Sequence, residues 1–438
     1  MKNYSIIIAA AVLSLTVTSC GIYGKWHPKN SEEVANIALP SYKEIFLEPE
    51  LHALIDTALA RNYDLKMAHE RVAQADSRLK SARLAYLPHL FAGADQAATY
   101  TGAKGGSGAW SFNFATASWE IDIFGRLTNR KRIARASLDE MKDYELAARS
   151  ELIAAVASLY YRLQMLDAEI KTADMAEANR HKSYEMMGHF KMSGRADEAA
   201  VANFEASWMA ARTNAKNLRL LRLETEEAMR LLLCKDGDPI IRGESVPYSQ
   251  AINVEKIDSI DLRAVRTRPD VKAAEDRLAG AFYNVNLARA NCCPSIIISG
   301  NLGWASESLI YGAIGGLLQP IFNSGQNISQ VKVSKSQLAE LEMNYANVLL
   351  KAGSEVNIAM ATIKTRASEI EDMAIRVKAM ERALEATDLK MKLGRGTYLE
   401  VLTAQNELLA SQIEEIQNMG EIREACVKLF LALGGGKN

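Results

Sequence analysis

Residues that break helices are scarce in this 438-residue chain, which has 9 prolines and 26 glycines. No proline lies between Gly125 and Pro239, or from Phe322 to the C-terminus, so no ring clash forbids a continuous helix there. Cysteine is scarce too. Beyond Cys20 there are Cys234, Cys292, Cys293 and Cys426, which form neither a zinc-type pair nor a disulfide framework. Sequence leaves open whether any of them pair. A charge excess is also lacking: 52 Lys and Arg face 53 Asp and Glu, which argues against nucleic acid as a partner. His27, His52, His69, His89, His181 and His189 are scattered, without HExxH spacing, and no Gly-x-x-x-x-Gly-Lys run is present to cradle phosphate. Nothing here implies catalysis, a metal or a cofactor.

Long apolar runs are confined to the N-terminus. Ile6 to Val17 is nearly unbroken and follows Met1-Lys2-Asn3. It is too short to span a bilayer, which takes ~20 residues, and it fits the core of a secretory signal. The run ends in Val17-Thr18-Ser19-Cys20, which resembles a bacterial lipobox, so residues 1–19 are expected to be removed and Cys20 acylated. Ordinary cleavage beside an incidental cysteine is the alternative. Glycine at position 21, rather than the aspartate that retains many lipoproteins in the inner membrane, directs the expectation to the outer membrane.

An internal repeat organises the rest. Leu65, Ala68, Val72, Ala75, Leu79 and Ala82 match Val271, Ala274, Leu278, Ala281, Val285 and Ala288 at a displacement of 206, and Pro88 and Pro294 close the two segments. Ile123-Phe124 matches Ile321-Phe322, and Gly125 matches Gly325. Gly194, Glu198, Ala202 and Glu205 match Gly396, Glu400, Ala404 and Glu407 at a displacement of 202. A tandem duplication is expected, with each copy reading helix, two strands, very long helix, helix. The predicted division is an anchor segment at 20–50, a first repeat at 51–239, an equatorial linker at 240–259, a second repeat at 260–433 and a tail at 434–438.

The long helices carry coiled-coil seams. Leu152, Val156, Leu159, Leu163, Leu166 and Ile170 form one, and Ile370, Met373, Val377, Met380 and Leu384 the other. A helix from Arg126 to about Lys191 would run ~100 Å. The return helices read Val201, Phe204, Trp208, Ala211, Ala215, Leu218 and Leu399, Leu402, Leu409, Ile413, Ile416. Between the helices, Trp110, Phe112 and Phe114 share one face of a candidate strand, and Ile296, Ile298, Leu302 and Trp304 share another. Four strands cannot close a barrel alone, and lipid tolerates no open edge. The loop 101–108 fits a hairpin tip.

Motifs in order then carry a family resemblance. Trp119-Glu120-Ile121-Asp122-Ile123-Phe124-Gly125-Arg126, Arg268-Pro269-Asp270-Val271, Pro320-Ile321-Phe322-Asn323-Ser324-Gly325, Leu393-Gly394-Arg395-Gly396-Thr397 and Ala432-Leu433-Gly434-Gly435-Gly436 resemble signatures of TolC-type outer-membrane factors, lipoprotein branch. The resemblance implies an α+β membrane protein. Three chains of a homotrimer would pool four strands each into a twelve-stranded β-barrel, continued by a periplasmic α-helical coiled-coil barrel. It implies a channel rather than an enzyme. The implied partners are a periplasmic adaptor (membrane fusion) protein and an inner-membrane efflux transporter, proton-driven, with drug efflux expected first. Metal-cation efflux, type I protein secretion and a structural periplasmic coiled-coil lipoprotein are the alternatives; the last predicts no strands.

The same resemblance implies a constriction at Asp197, Glu198, Leu399, Glu400 and Thr403. It implies adaptor-facing turns at Gly194, Arg195, Gly394, Arg395 and Gly396, and barrel–helix junctions at Trp119, Asp122, Gly125, Pro320 and Gly325. Relatives often carry an aspartate where this chain has Thr403, and the first tip matches loosely. Whether the acids face a pore, solvent or an adaptor is open, because sequence does not fix helix rotation. Met373, Met380 and Met391 read as packing rather than soft-metal ligands, and so does the Cys292-Cys293 pair.

Overall fold

The computed structural model describes residues 24–27, 41–100, 108–237, 239–243, 262–305, 308–318 and 325–435. Cys20 with its lipobox, the loop at 101–107, most of the 240–259 linker, Pro320 to Ser324, and Gly436 lie outside them. The described order is α1 (Tyr42–Ile45), α2 (Pro49–Arg61), α3 (Tyr63–Leu84), β1 (His89–Tyr100), β2 (Gly108–Ile121), α4 (Arg126–Met192) and α5 (Glu198–Leu233). After a 3-10 turn (Leu262–Thr267) come α6 (Pro269–Ala290), β3 (Ser295–Ala305), β4 (Ser308–Leu318), α7 (Gln326–Lys392) and α8 (Tyr398–Ala432). The succession helix, strand, strand, long helix, helix occurs twice, and both long helices have 67 residues.

Two compact units divide the chain, and they cut across this succession. One comprises Met1–Ser31, Ala68–Glu145 and Pro269–Val348; the other comprises Glu32–Met67, Leu146–Arg268 and Leu349–Asn438. Each long helix contributes to both, because 67 residues exceed what one compact core covers.

The first unit holds a four-stranded antiparallel sheet in the order β1-β2-β3-β4. Its register sets His89 against Ser118, Ile121 against Ile296 and Ser295 against Leu318. Bulges interrupt the pairing between Ala92 and Asp95 and between Asn113 and Ala115. The predicted alternation on β3 holds: Ile298, Leu302 and Trp304 share a face. Cross-strand pairing puts Leu90, Trp119, Leu309 and Tyr311 on that face as well, and all seven side chains are exposed. The side chains of Trp110 and Phe112 lie outside the described residues. Beside the sheet, Ala75 and Leu79 of α3 pack on Leu138 of α4. The small residues of the predicted α3 stripe permit that close approach.

In the second unit the α4 seam is buried at Leu152, Val156, Leu163, Leu166 and Ile170. Phe46 closes over it, 6.3 Å from Tyr161 and 5.4 Å from Phe430 between ring centroids. The α5 seam is inward-facing at Phe204, Ala211 and Ala215. Two predicted seams come out differently. On α7, Ile370, Met373, Val377, Met380 and Leu384 are only half-buried. On α8 the buried face is Val401, Ser411, Asn418 and Ile422, and Leu399 is 64% exposed. Two of those buried positions are polar: Asn418 Nδ2 donates to the Arg366 carbonyl at 3.0 Å, and Ser411 Oγ to the Glu407 carbonyl at 2.8 Å, while Asn418 Oδ1 has no hydrogen-bond partner among the described residues. Apolar spacing alone therefore selected the neighbouring stripe.

Candidate functional site at the hairpin turns

The two hairpin turns are built alike. After α4, Gly194 adopts φ +71° and its N–H donates to the Lys191 carbonyl, while the Arg195 N–H donates to the Phe190 carbonyl. After α7, Gly394 also has φ +71°, its N–H donates to Met391, and the Arg395 N–H donates to Lys390. Both are Schellman endings, which need a left-handed residue after the last turn and so favour glycine. The matching turns fix the offset between the halves at 200, the same offset that relates Gly125 to Gly325, both with positive φ. The predicted offset of 202, which paired Gly194 with Gly396 and Asp197 with Leu399, is thus shifted by two residues. Gly396 has a different reason to be glycine: a Cβ there would lie 3.1 Å from the Lys390 Cβ and 3.2 Å from the Met391 nitrogen.

At this offset Asp197 corresponds to Thr397, and each begins its return helix. The Asp197 carboxylate accepts from the Ala200 N–H at 2.8 Å. Thr397 Oγ1 accepts from the Glu400 N–H at 3.3 Å and donates to the Glu400 carboxylate at 3.2 Å, tying Glu400 to the helix start. Glu198 ion-pairs with Lys191 across the first turn. Leu399 and Thr403 are exposed.

The second unit brings the two turns together. Arg195 lies over the Phe190 ring, 4.5 Å from its centroid, and its Nη2 donates to the Lys392 carbonyl at 3.2 Å. Beneath the turns, Met187, Ala200, Phe204, Met391 and Val401 form a buried cluster. Arg180 is buried too, donating to the Ser207 carbonyl at 3.3 Å and to Asn406 Oδ1 at 2.9 Å. Burial lowers its pKa. Gln405 Nε2 donates to Ser183 Oγ at 2.9 Å. These bridges have no signature in helical periodicity, which reports apolar positions only. Arg195, by contrast, stands beside the turn glycine.

The junction residues belong to the first unit. Asp122 accepts from the Leu127 N–H (2.9 Å), the Thr128 N–H (2.8 Å) and Thr128 Oγ1 (2.7 Å), and so satisfies the open N–H groups at the start of α4. Trp119 Nε1 donates to the Tyr86 carbonyl at 3.0 Å. Among the described residues no group of three His, Cys, Asp or Glu could hold a metal ion, and Cys234, Cys292, Cys293 and Cys426 are free thiols. Cys292 is exposed, contrary to a packing role, because it sits on the turn that ends α6.

The elements define a class: two 67-residue helices, each followed by a return helix, and a four-stranded antiparallel sheet with an exposed apolar face. The profile of the outer membrane efflux protein family matches residues 54–235 and 263–435, and the chain belongs to that family. It is 25% identical over 415 residues to the cation efflux system protein CusC of Escherichia coli K12, covering 90% of this chain and 88% of CusC. It is 26% identical over 439 residues to the toluene efflux pump outer membrane protein TtgC of Pseudomonas putida, covering 94% and 88%. The crystal structure of the Campylobacter jejuni CmeC outer membrane channel superposes with a TM-score of 0.82 at 20% identity, covering 95% of each chain.

Proposed function

We propose that the protein is the outer-membrane exit duct of a tripartite efflux system, passing small molecules from a periplasmic adaptor and a proton-driven inner-membrane pump to the exterior. The observation that carries this reading is the sheet. It exposes a continuous apolar face, and among the described residues the outer edges of β1 and β4 pair with no further strand. An apolar face of that kind suits lipid, and lipid requires the edges to be closed. Three chains contributing four strands each close a twelve-stranded barrel, so the working form is a homotrimer. The repeated element order and the doubled family match support an origin by duplication, with repeats near 51–239 and 260–433 joined by a linker near 240–259. Acylation at Cys20 gives a second hold on the membrane.

Relatives named for cation efflux and for toluene efflux match at similar identity. The methionines at the turns, Met187 and Met391, are buried in packing, so drug-type substrates remain the first reading. The hairpin turns form the constriction, with Asp197, Glu198 and Glu400 repeated three-fold as carboxylate rings. The test is single-channel recording of the purified trimer in planar bilayers. A cation-selective pore that Glu400→Lys weakens or reverses, and that Leu399→Gly widens, supports the reading. Unchanged conductance with lost drug resistance in cells would move these residues to the adaptor contact. A protein that never conducts would overturn the duct.

A further inference from the structure

The charges of the chain balance as a whole, but not where the helices meet the sheet. The sheet-proximal stretches of the four flanking helices, 77–84, 126–138, 278–290 and 326–339, contain no Asp or Glu. They do contain Arg83, Arg130, Lys131, Arg132, Lys332 and Lys335, among other basic residues. The α4 part is notable because Arg126, Arg130, Lys131, Arg132 and Arg135 crowd the first ten residues of the helix. Cations there oppose the helix dipole, so helix stability does not account for them.

Some of these cations already have carboxylate partners. Arg126 pairs with Glu120 at 2.6 Å, Lys80 with Asp76 at 2.8 Å and Arg135 with Asp139 at 2.8 Å. Among the described residues no carboxylate ion-pairs with Arg83, Arg130, Lys131 or Arg132. Arg83 and Arg130 are exposed, and Lys131 rests over the Tyr86 ring at 5.0 Å. Arg132 lies over the Tyr283 ring at 5.4 Å and donates to the Gly24 carbonyl at 3.2 Å.

Gly24 locates this belt independently. Asn286 Nδ2 also donates to its carbonyl at 3.5 Å, the Trp26 N–H donates to the Tyr283 hydroxyl at 3.2 Å, and the Trp26 ring packs on Phe282 at 5.7 Å. Gly24 lies four positions after Cys20, a reach of at most about 14 Å. An acyl group at Cys20 therefore brings the lipid surface close to Arg132. Trp119 and Tyr86, at the helix end of the sheet, are residue types that settle at a membrane interface.

We propose that these cations form a collar that binds the phosphate groups of anionic phospholipids, such as phosphatidylglycerol, in the periplasm-facing leaflet. This rests on the reading of the sheet as the outer-membrane span. The collar seats the barrel at a fixed depth, and three-fold repetition makes it a ring. A basic residue near an anionic bilayer surface strengthens binding by ~1 kcal/mol, about fivefold.

The test uses the full-length trimer in nanodiscs of phosphatidylcholine with one-fifth phosphatidylglycerol. Extraction in mild detergent is followed by analysis of the retained lipid. The wild type should retain phosphatidylglycerol several-fold above the bulk ratio, and its melting temperature should rise with phosphatidylglycerol content, less so in high salt. Arg83→Gln/Arg130→Gln/Lys131→Gln should return the ratio to bulk, while Lys364→Gln/Lys378→Gln should leave the enrichment intact. Bulk-ratio lipid on the wild type overturns the collar even if the triple variant does not fold. So does enrichment that survives in a folded triple variant, or equal stabilisation by inorganic phosphate, which would mean a free-anion site. A wild type that conducts but shows no enrichment sinks this inference alone. A wild type that never conducts sinks the duct reading instead.

Discussion

The two long helices have the same length, the same glycine at each end and the same offset of 200, yet their surroundings differ. On α4, most of the apolar positions from Leu152 to Ala173 are buried within their own chain. On α7, Ala352, Val356 and Ala359 are buried, but Leu350 is 74% exposed and Ile358 63% exposed. The difference lies at the N-terminal side, where Phe46 and Glu48 close over α4. The repeated unit supplies the scaffold; this segment covers only one of its two long helices. The apolar surface left on α7 needs another partner, and in the proposed trimer that partner is a neighbouring copy.

Burying a charge there should break the assembly. Leu350→Glu with Ile358→Glu is expected to abolish the trimer, because each copy would bury unpaired carboxylates in its interface. Light scattering in detergent reads the mass directly. A double variant that stays trimeric would leave the α7 face without its assigned partner.

The buried side of the comparison holds a polar chain. Arg423, 1% exposed, donates to Gln164 Oε1 at 2.9 Å, and Gln164 Nε2 donates to Glu48 Oε1 at 2.9 Å. The Tyr161 ring lies 5.5 Å from the guanidinium. Burial raises the Glu48 pKa and lowers that of Arg423, and each charge offsets part of the shift in the other. Glu48→Ala should therefore cost about 3 kcal/mol, since it leaves a buried cation short of its counter-charge. On α7, Arg366 pairs with Glu369 and Glu421 near the surface, and Arg366→Ala should move the denaturation midpoint far less, because solvent screens an exposed pair. Denaturant titration compares the two, and equal losses would erase the distinction.

Periodicity made the element order, the strand count and the α4 boundaries legible, because a proline-free apolar seam and a glycine turn leave few alternatives. It did not reveal the α8 face, where Ser411 and Asn418 occupy buried positions, nor the Glu48–Gln164–Arg423 chain. Polar residues in a core look like surface residues until their partners are placed. The repeat offset at the tip slipped by two because Gly394 and Gly396 both match the first-half glycine, and only backbone dihedrals tell them apart. Candidate acids were easier to name than to orient, for the same reason that buried and exposed Leu are alike in sequence.

A smaller, pH-dependent effect separates the first-unit parts of the same helices. Asp143 on α4 and Asp276 on α6 share a hydrogen bond, with Asp139, Lys142, Lys272 and Glu275 around them. At the same offset α7 carries Met343, which is exposed. Burial pushes the Asp276 carboxyl up to about 7 and Asp143 up to about 6, and the neighbouring carboxylates add to the rise at Asp276. The folded state thus binds a proton that the unfolded chain releases near pH 4. Stability from this pair is complete at low pH and is lost as pH rises through about 7. Asp276→Asn should flatten that dependence between about pH 4 and 7, read as the melting temperature against pH. A slope identical to that of the wild type would assign the pH response elsewhere.

The smallest effect distinguishes the two return helices. Asp197 caps α5 through a 2.8 Å bond to the Ala200 N–H, whereas Thr397 caps α8 through a 3.3 Å bond to the Glu400 N–H. The shorter bond also places a carboxylate at the positive end of the helix, where charge and dipole agree. Asp197→Ala should cost ~1 kcal/mol and Thr397→Ala nearer ~0.5 kcal/mol, seen as faster hydrogen exchange in the first turn of each helix. Asparagine caps about as well as aspartate, so Asp197→Asn removes the charge and keeps the helix start. That variant separates the two roles that Asp197 would otherwise combine. With the carboxylates ringed around a pore, Asp197→Asn lowers cation selectivity in planar bilayers while hydrogen exchange stays as in the wild type. If selectivity is untouched and only the alanine variant loosens the first turn, Asp197 serves the helix alone, and the ring must be built from Glu198 or Glu400.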